Sequence, residues 1–106
     1  MLKTLSVSEL HDQFQKHDSG DLFLDVRTER EFSEGHIPGS RNIPVNAVVG
    51  HASELKTFKN IYVYCKMGGR AIVACELLGS LGLTNLQCVD DGGFPDWADL
   101  GYEQVR

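Results

Sequence analysis

The chain has 106 residues and a net charge of −5, with 42% hydrophobic and 24% charged residues. These values predict a single soluble globular domain over residues 1–106. The acidic balance argues against a nucleic-acid-binding surface. No apolar run approaches the roughly 20 residues that cross a bilayer, and the N-terminal residues lack the apolar stretch of a signal peptide. We therefore expect no membrane association and a cytoplasmic location.

The cysteines argue against a disulfide framework. They number three, at Cys65, Cys75 and Cys88, and none belongs to a CxxC pair. An odd number of widely spaced cysteines agrees with a reducing compartment. The histidines do not complete a zinc pattern, so we expect neither a metal nor another cofactor. Cys75 and Cys88 fall in apolar patterns typical of core residues, and a redox role for either stays open.

The first quarter of the chain predicts a short strand followed by a helix. Residues 2–5 are mostly apolar and suit a short first strand. Ser6 and Glu9 have the spacing of a capping box, in which each residue satisfies a backbone N–H of the other. The pattern predicts a helix that opens there and continues to about Lys16.

A buried strand and a short helix are predicted next. Residues 22–26 are apolar apart from one aspartate, which is typical of a buried parallel strand. Thr28 and Glu31 form a second capping box, and the helix that it opens is expected to end at Gly35. After a loop, a short strand is predicted over residues 41–43.

The middle of the chain carries the clearest helix. Residues 45–58 predict only one or two weak helical turns, and residues 61–64 predict a strand. Residues 70–81 predict an amphipathic helix, with Gly82 as its C-cap. The apolar residues with helical spacing in this segment are Ile72, Val73, Leu77, Leu78 and Leu81.

The last elements complete an alternating pattern. A strand is predicted over residues 86–89, and a short helix over residues 94–100 carries Trp97, which we expect in the core. Strands that alternate with helices at this spacing indicate an α/β fold, with a central parallel sheet of about five strands and helices on both faces.

The segment from Cys65 to Arg70 is the candidate active site. Cys65 follows a strand and precedes a tight loop and a helix, so it falls at the carboxyl end of a strand, where such sheets place their sites. Backbone N–H groups and the positive end of the helix dipole favour an anion here, first of all the thiolate of Cys65. Gly68 and Gly69 permit positive φ angles and keep side chains out of the loop. The complete set is Cys65, Lys66, Met67, Gly68, Gly69 and Arg70.

The flanking side chains of this loop suggest an anionic substrate. Lys66 and Arg70 add positive charge beside the thiol. Lys66 is expected to favour the thiolate and to attract anions, while Met67 is expected to face solvent. A cysteine in such surroundings is more consistent with a nucleophile than with a small core residue.

Three reactions suit a cysteine with a nearby arginine: disulfide exchange, phosphate-ester hydrolysis and attack on a sulfane sulfur. Disulfide exchange usually needs a second cysteine, but Gly68 occupies that region. Tyrosine-phosphatase loops are one residue longer than the segment between Cys65 and Arg70. A smaller loop suits a single sulfur atom better than the oxygen shell of a phosphate.

The chain resembles a single-domain rhodanese. The motifs that carry the resemblance are DVR at 25–27, EF at 31–32, GHIPGSRNIP at 35–44, YCKMGGRA at 64–71 and GGFPDW at 92–97. They occur in the family's order over roughly residues 4–104. The resemblance implies a compact α/β fold with a parallel sheet and a sulfurtransferase activity. The six-residue loop from Cys65 to Arg70 matches the sulfurtransferase form of the family.

The resemblance also implies a two-step reaction. Cys65 takes a sulfur from thiosulfate or a persulfide donor and becomes a persulfide, which cyanide, a small thiol or a sulfur-carrier protein then accepts. Arg70 is suited to bind the sulfonate oxygens of thiosulfate, because its guanidinium is planar and always charged.

Four further residues are candidates for a supporting role. A structural ion pair or cap that fixes the neighbouring loops is favoured for Asp25 and Arg27, and the family pattern places Asp25 near the site. Structural hydrogen bonding is favoured for His36. Arg41 either approaches the site or caps a local segment.

Two alternatives to a sulfurtransferase stay open. One is a non-catalytic rhodanese-fold module for protein binding, although such modules commonly lack the cysteine that this chain has at position 65. The other, which the loop length disfavours, is a small phosphatase or arsenate reductase.

Overall fold

The computed structural model describes residues 2–106, which form one five-stranded sheet with helices around it. The strands are β1 (Thr4–Leu5), β2 (Asp21–Asp25), β3 (Arg41–Asn42), β4 (Asn60–Tyr64) and β5 (Leu86–Val89). The helices are α1 (Val7–Lys16), α2 (Glu29–Glu34), a 3₁₀ helix (Val45–His51), α3 (Ala52–Leu55), α4 (Gly69–Ser80) and α5 (Phe94–Asp99). Within residues 2–106, no helix has the length and hydropathy needed to cross a membrane.

All neighbouring strands of the sheet are parallel, in the order β1-β5-β4-β2-β3. The predicted α/β fold with about five parallel strands is therefore confirmed. Strand β4 lies at the centre, paired along its length with β2 and on its other side with β5. Because parallel strands bury both faces, β4 is apolar almost throughout.

Two separate cores cover the two faces of the sheet, as predicted. On one face α4, α3 and the 3₁₀ helix pack over β2, β4 and β5. On the other face α1 and α5 pack together over side chains of the same strands. Trp97 of α5 is fully buried there, in agreement with its predicted core position, and its indole N–H donates to the carbonyl of Glu103 at 2.6 Å.

Both predicted capping boxes are present. In α1 the Ser6 hydroxyl accepts from the Glu9 N–H at 3.1 Å, and the Glu9 carboxylate accepts from the Ser6 N–H at 2.9 Å. Thr28 and Glu31 make the same exchange at the start of α2, at 3.2 and 3.0 Å. These reciprocal bonds satisfy N–H groups that a helix start otherwise leaves unpaired.

The remaining predicted elements are present, with bounds that differ by one or two residues. Residues 45–58 form the weak helical turns expected of them, as the 3₁₀ helix and the single turn of α3. At the end of α4, Gly82 has a φ of +95° and its N–H bonds to the Gly79 carbonyl, as expected for a glycine that ends a helix.

Helix α4 exists as predicted but packs through a different face from the one that its large apolar residues suggest. Val73, Leu77 and Leu81 are 48%, 39% and 42% exposed. The buried residues of the helix are Ala71, Ala74, Cys75 and Leu78. Small side chains allow the helix backbone to approach the sheet closely, so three of them share the packed face with Leu78, while Val73, Leu77 and Leu81 point outward.

This assignment of faces predicts unequal costs for the same substitution at adjacent positions. Leu78→Ala should destabilise the protein by about 2–5 kcal/mol, because it leaves a cavity in the core. Leu77→Ala should cost less than about 1 kcal/mol, because that side chain is partly exposed. Urea unfolding of the two variants measures the difference, and equal losses would contradict the observed packing of α4.

Candidate active site

Strand β4 delivers Cys65 to the carboxyl edge of the sheet. Cys65 directly follows the strand and is only 1% exposed. The neighbouring strand β2 ends at the same level, since Asp25 pairs with Tyr64. The predicted position of the cysteine at a strand end is therefore correct, and the segment after β2 lies beside it.

The sulfur of Cys65 accepts two backbone hydrogen bonds from the start of α4. The Gly68 N–H donates to Sγ at 3.1 Å and the Ala71 N–H at 3.3 Å. Gly68 is the N-cap of α4 and has no side chain to accept these bonds. The sulfur of Cys65 therefore caps the helix in its place. Both the N–H groups and the helix dipole favour a negative charge on Sγ.

The loop agrees with the predicted one at Gly68 and Met67 but not at Gly69. Gly68 has a φ of +107°, in the left-handed region that glycine adopts readily. Met67 is 77% exposed, so it faces solvent as expected. Gly69 is the first residue of α4 and does not have a positive φ, so backbone freedom does not explain a glycine there. Ala71, whose N–H contacts Sγ, lies one residue beyond the predicted set.

The backbone of Cys65 is also held from the opposite side, by the start of α5. The Phe94 N–H donates to the Cys65 carbonyl at 2.9 Å. A Cβ atom on Gly93 would lie 2.0 Å from that carbonyl oxygen, so only glycine permits this approach. The sequence predicted a turn at this position but not its contact with the cysteine.

Arg70 forms a bidentate salt bridge with Glu31 of α2. Its Nη1 and Nη2 atoms lie 2.6 and 3.1 Å from Oε1 and Oε2 of the carboxylate. This hydrogen bonding with Arg70 lowers the pKa of Glu31 to about 2, so the carboxylate is charged at neutral pH. The Glu31 contact also raises the pKa of Arg70. The sequence predicted Arg70 as a cation beside the thiol, but it assigned Glu31 only to the helix cap.

Asp25 and Arg27 form the buried ion pair that was favoured for them. Arg27 Nη2 lies 2.6 Å from Asp25 Oδ2, and Nε lies 3.0 Å from both carboxylate oxygens. Burial acts to lower the pKa of Arg27, but the hydrogen bonds to Asp25 together with the negative charges nearby, that of Asp25 first, raise the pKa overall. Arg27 also donates to the Gly35 carbonyl at 2.7 Å and lies over the Phe94 ring, with 4.6 Å between Cζ and the ring centroid.

His36 makes the structural contacts that were favoured for it. Its ring Nδ1 lies 2.8 Å from the Phe32 carbonyl oxygen, and the ring stacks on the Phe32 ring at 3.5 Å. Its backbone pairs with Val105 near the C-terminus. These contacts fasten the loop after α2.

Arg41 forms its hydrogen bonds in a local cluster and not with the loop from Cys65 to Arg70, called the cysteine loop below. Its guanidinium binds the Glu54 carboxylate at 2.9 and 3.2 Å, and His51 contacts the same carboxylate. These partners lie in the helical turns after β3. Of the two possibilities for Arg41, these contacts agree with the local one.

A cavity of about 190 Å³ lies between α2, the cysteine loop and the start of α5. Its lining consists of Arg27, Glu31, Glu34, Gly35, Lys66, Phe94 and Pro95. Lys66 forms no salt bridge with any residue in the range 2–106, so its charge is available to a ligand. This cavity gives the loop an open side.

A larger cavity, of about 510 Å³, is lined by Cys75 and residues of α4 and β5, together with Leu2 and Lys3, and by none of the cysteine loop. Cys75 and Cys88 are 1% and 0% exposed and carry free thiols. They therefore occupy the core positions that their apolar surroundings predicted.

Comparisons with known proteins agree with this architecture. The family model described as "Rhodanese-like domain" matches residues 6–100. Thiosulfate sulfurtransferase 16, chloroplastic, of Arabidopsis thaliana is 34% identical, over 92% of this chain and 88% of that protein. A sulfurtransferase of Allochromatium vinosum is 31% identical, over 79% of this chain and 78% of that protein.

A solved structure gives the same result for the fold. The crystal structure of a rhodanese-related protein from Thermoplasma volcanium superposes with a TM-score of 0.82 at 31% identity, covering 97% of each chain. The family match spans most of the chain, including β4, the cysteine loop and the start of α5. The chain therefore belongs to the rhodanese-like family.

Proposed function

We propose that this protein is a sulfurtransferase that carries sulfur as a persulfide on Cys65. The observation that carries the proposal is the pair of N–H groups, from Gly68 and Ala71, that donate to Sγ at 3.1 and 3.3 Å. They favour the thiolate, which is the nucleophilic form of cysteine. The names of the Arabidopsis and Allochromatium relatives support sulfur transfer as the reaction class.

In the first step the Cys65 thiolate attacks the outer sulfur of thiosulfate or of a persulfide. A new S–S bond forms to Sγ, the S–S bond of the donor breaks, and sulfite or a thiolate leaves with the bonding electron pair. In the second step cyanide, a small thiol or a sulfur-carrier protein attacks the terminal sulfur and restores the thiolate. No cofactor enters either step.

The loop has features suited to an added sulfur atom. The terminal sulfur of a persulfide is anionic near neutral pH, and the start of α4 provides N–H donors for a negative charge. Gly68 and Gly69 place no side chain next to Sγ. Lys66, which has no salt bridge within residues 2–106, lines the cavity, and the adjacent Met67 is exposed, so both are placed to meet a donor or an acceptor protein.

Asp25, Arg27 and His36 take positioning roles in this proposal. The Asp25–Arg27 pair joins the end of β2 to the Gly35 carbonyl and to Phe94, whose N–H holds the Cys65 carbonyl. Their charges satisfy each other, so they are suited to fixing the loops around Cys65 and not to proton transfer. Arg41 binds Glu54 and is given no step in this proposal.

The sulfurtransferase proposal predicts a covalent adduct. Incubation with thiosulfate or an organic persulfide should add about 32 Da, the mass of one sulfur, as expected for nucleophilic covalent catalysis. Cys65→Ser should abolish both the adduct and sulfur transfer to cyanide. Intact mass spectrometry measures the first and thiocyanate formation the second. Cys75→Ala is the matched control and should retain the adduct; an adduct that persists in Cys65→Ser would place the chemistry elsewhere.

The loop geometry predicts a strong dependence on Gly68. A Cβ atom at this position would lie 2.2 Å from the Asp90 carbonyl oxygen, and φ is +107°. Gly68→Ala should therefore cost about 1–3 kcal/mol of stability and slow the loading of Cys65 by more than about tenfold, because a displaced donor stabilises the sulfur anion poorly.

Gly69→Ala is the stability control for this prediction. A Cβ atom there meets no other atom within 4 Å, and the residue opens a helix with no positive φ. Its free energy of unfolding should stay constant or rise by up to about 1 kcal/mol. Chemical denaturation measures both variants, and equal stability for the two would refute the role given to Gly68.

The loop length predicts little phosphatase activity. Four residues separate Cys65 from Arg70, one fewer than in tyrosine-phosphatase-type loops, and the arginine is bound to Glu31. We expect negligible release of p-nitrophenol from p-nitrophenyl phosphate. Hydrolysis that is robust in the native protein and absent in Cys65→Ser would favour a phosphatase instead.

A further inference from the structure

The two arginines near Cys65 are each paired with a carboxylate. Arg70, the last residue of the loop from Cys65, is bound through both terminal nitrogens by Glu31, and Arg27 is bound by Asp25. The side chains of Arg70 and Glu31 are 34% and 26% exposed, so this bridge is partly shielded from solvent. Glu34 adds a further carboxylate to the cavity that Lys66 borders. Both of these arginine charges are thus paired with a carboxylate, whereas Lys66 forms no salt bridge with any residue in the range 2–106.

This balance matters because possible sulfur donors differ in charge. Thiosulfate is a dianion, and its attack by a thiolate brings three negative charges together. An organic persulfide carries at most one charge on its two sulfur atoms. A guanidinium whose two terminal nitrogens already hold a carboxylate offers less attraction to an anion than a free one, and the carboxylate itself repels a dianion more than a monoanion.

We propose that Glu31 determines the donor preference of Cys65, disfavouring small dianions such as thiosulfate relative to persulfides of low charge. The proposal rests on the sulfurtransferase function proposed above and names its donor class. The step is balanced: the Cys65 thiolate attacks the outer sulfur of R–S–SH, a Cys65 persulfide forms, and R–S⁻ leaves. Glu31 does not touch the reacting atoms; it acts through Arg70.

Glu31→Gln separates the charge of Glu31 from its structural role. A glutamine keeps an oxygen that accepts from the Thr28 N–H, so the cap of α2 is retained, but the negative charge on Arg70 is removed. Glu34→Gln is the matched control. It removes the same charge from the same cavity, and Glu34 is exposed and has no bond to Arg70.

The experiment measures the second-order rate constant for loading of Cys65 by intact mass spectrometry. The donors are thiosulfate and 2-hydroxyethyl persulfide, which has no charge apart from that on its sulfur. In Glu31→Gln the rate constant for thiosulfate should rise about three- to tenfold, as expected for a partly exposed charge pair. The rate constant for the persulfide should change less than about twofold in both variants, and the rate constant for thiosulfate should rise less in Glu34→Gln than in Glu31→Gln, because Glu34 does not hold Arg70.

Three outcomes would overturn the proposal: an unchanged or lower rate with thiosulfate in Glu31→Gln, an equal change for both donors, or an equal rise in Glu34→Gln. If Glu31→Gln does not fold, Glu31→Asp decides, because its shorter side chain weakens the bidentate contact and should raise the thiosulfate rate to a smaller extent. Native protein that loads from neither donor would refute the sulfurtransferase function itself, whereas normal loading with an unaltered donor ratio refutes only the role of Glu31.

Discussion

The site depends on the two hydrogen bonds that the start of α4 donates to the sulfur of Cys65. A helix start leaves several N–H groups without partners, and in α4 the N-cap is a glycine that offers no oxygen to accept them. The sulfur of a residue outside the helix accepts two of these bonds. The same contact therefore caps the start of α4 and favours a negative charge on the sulfur. The stability of α4 and the reactivity of Cys65 are thus physically linked.

This contact is only possible because the backbone of Cys65 is fixed from two sides. Strand β4, between β2 and β5, brings the residue to the sheet edge, and the Phe94 N–H holds its carbonyl from the other core. Gly93 and Gly68 each lie so close to neighbouring backbone that a Cβ atom would overlap a carbonyl oxygen. Preorganised donors need no rearrangement when negative charge develops, and these close backbone approaches are what keep the donors in place.

Much of this architecture follows from local sequence patterns, while the parts that the sequence did not reveal are contacts between distant segments. Apolar runs predicted the strands, and the capping boxes at Ser6 and Thr28 predicted the starts of α1 and α2. The packed face of α4 was not evident, because helical spacing does not say whether small or large residues approach the sheet. The Arg70–Glu31 bridge joins residues 39 positions apart, and its only local signal, the capping box, had already assigned Glu31 to another bond.

Positive potential near Cys65 comes from backbone N–H groups and from arginine side chains, and these two sources have different partners. Main-chain N–H groups act on the sulfur, and the charged side chains of Arg70 and Arg27 are paired with carboxylates. Backbone N–H groups stay in place when side chains change rotamer, whereas a guanidinium readily forms a salt bridge with a neighbouring carboxylate. The N–H groups therefore stabilise an anion at Sγ whichever partner Arg70 has. In our proposal, recognition of the rest of the donor is a separate property, which the Glu31 carboxylate modifies.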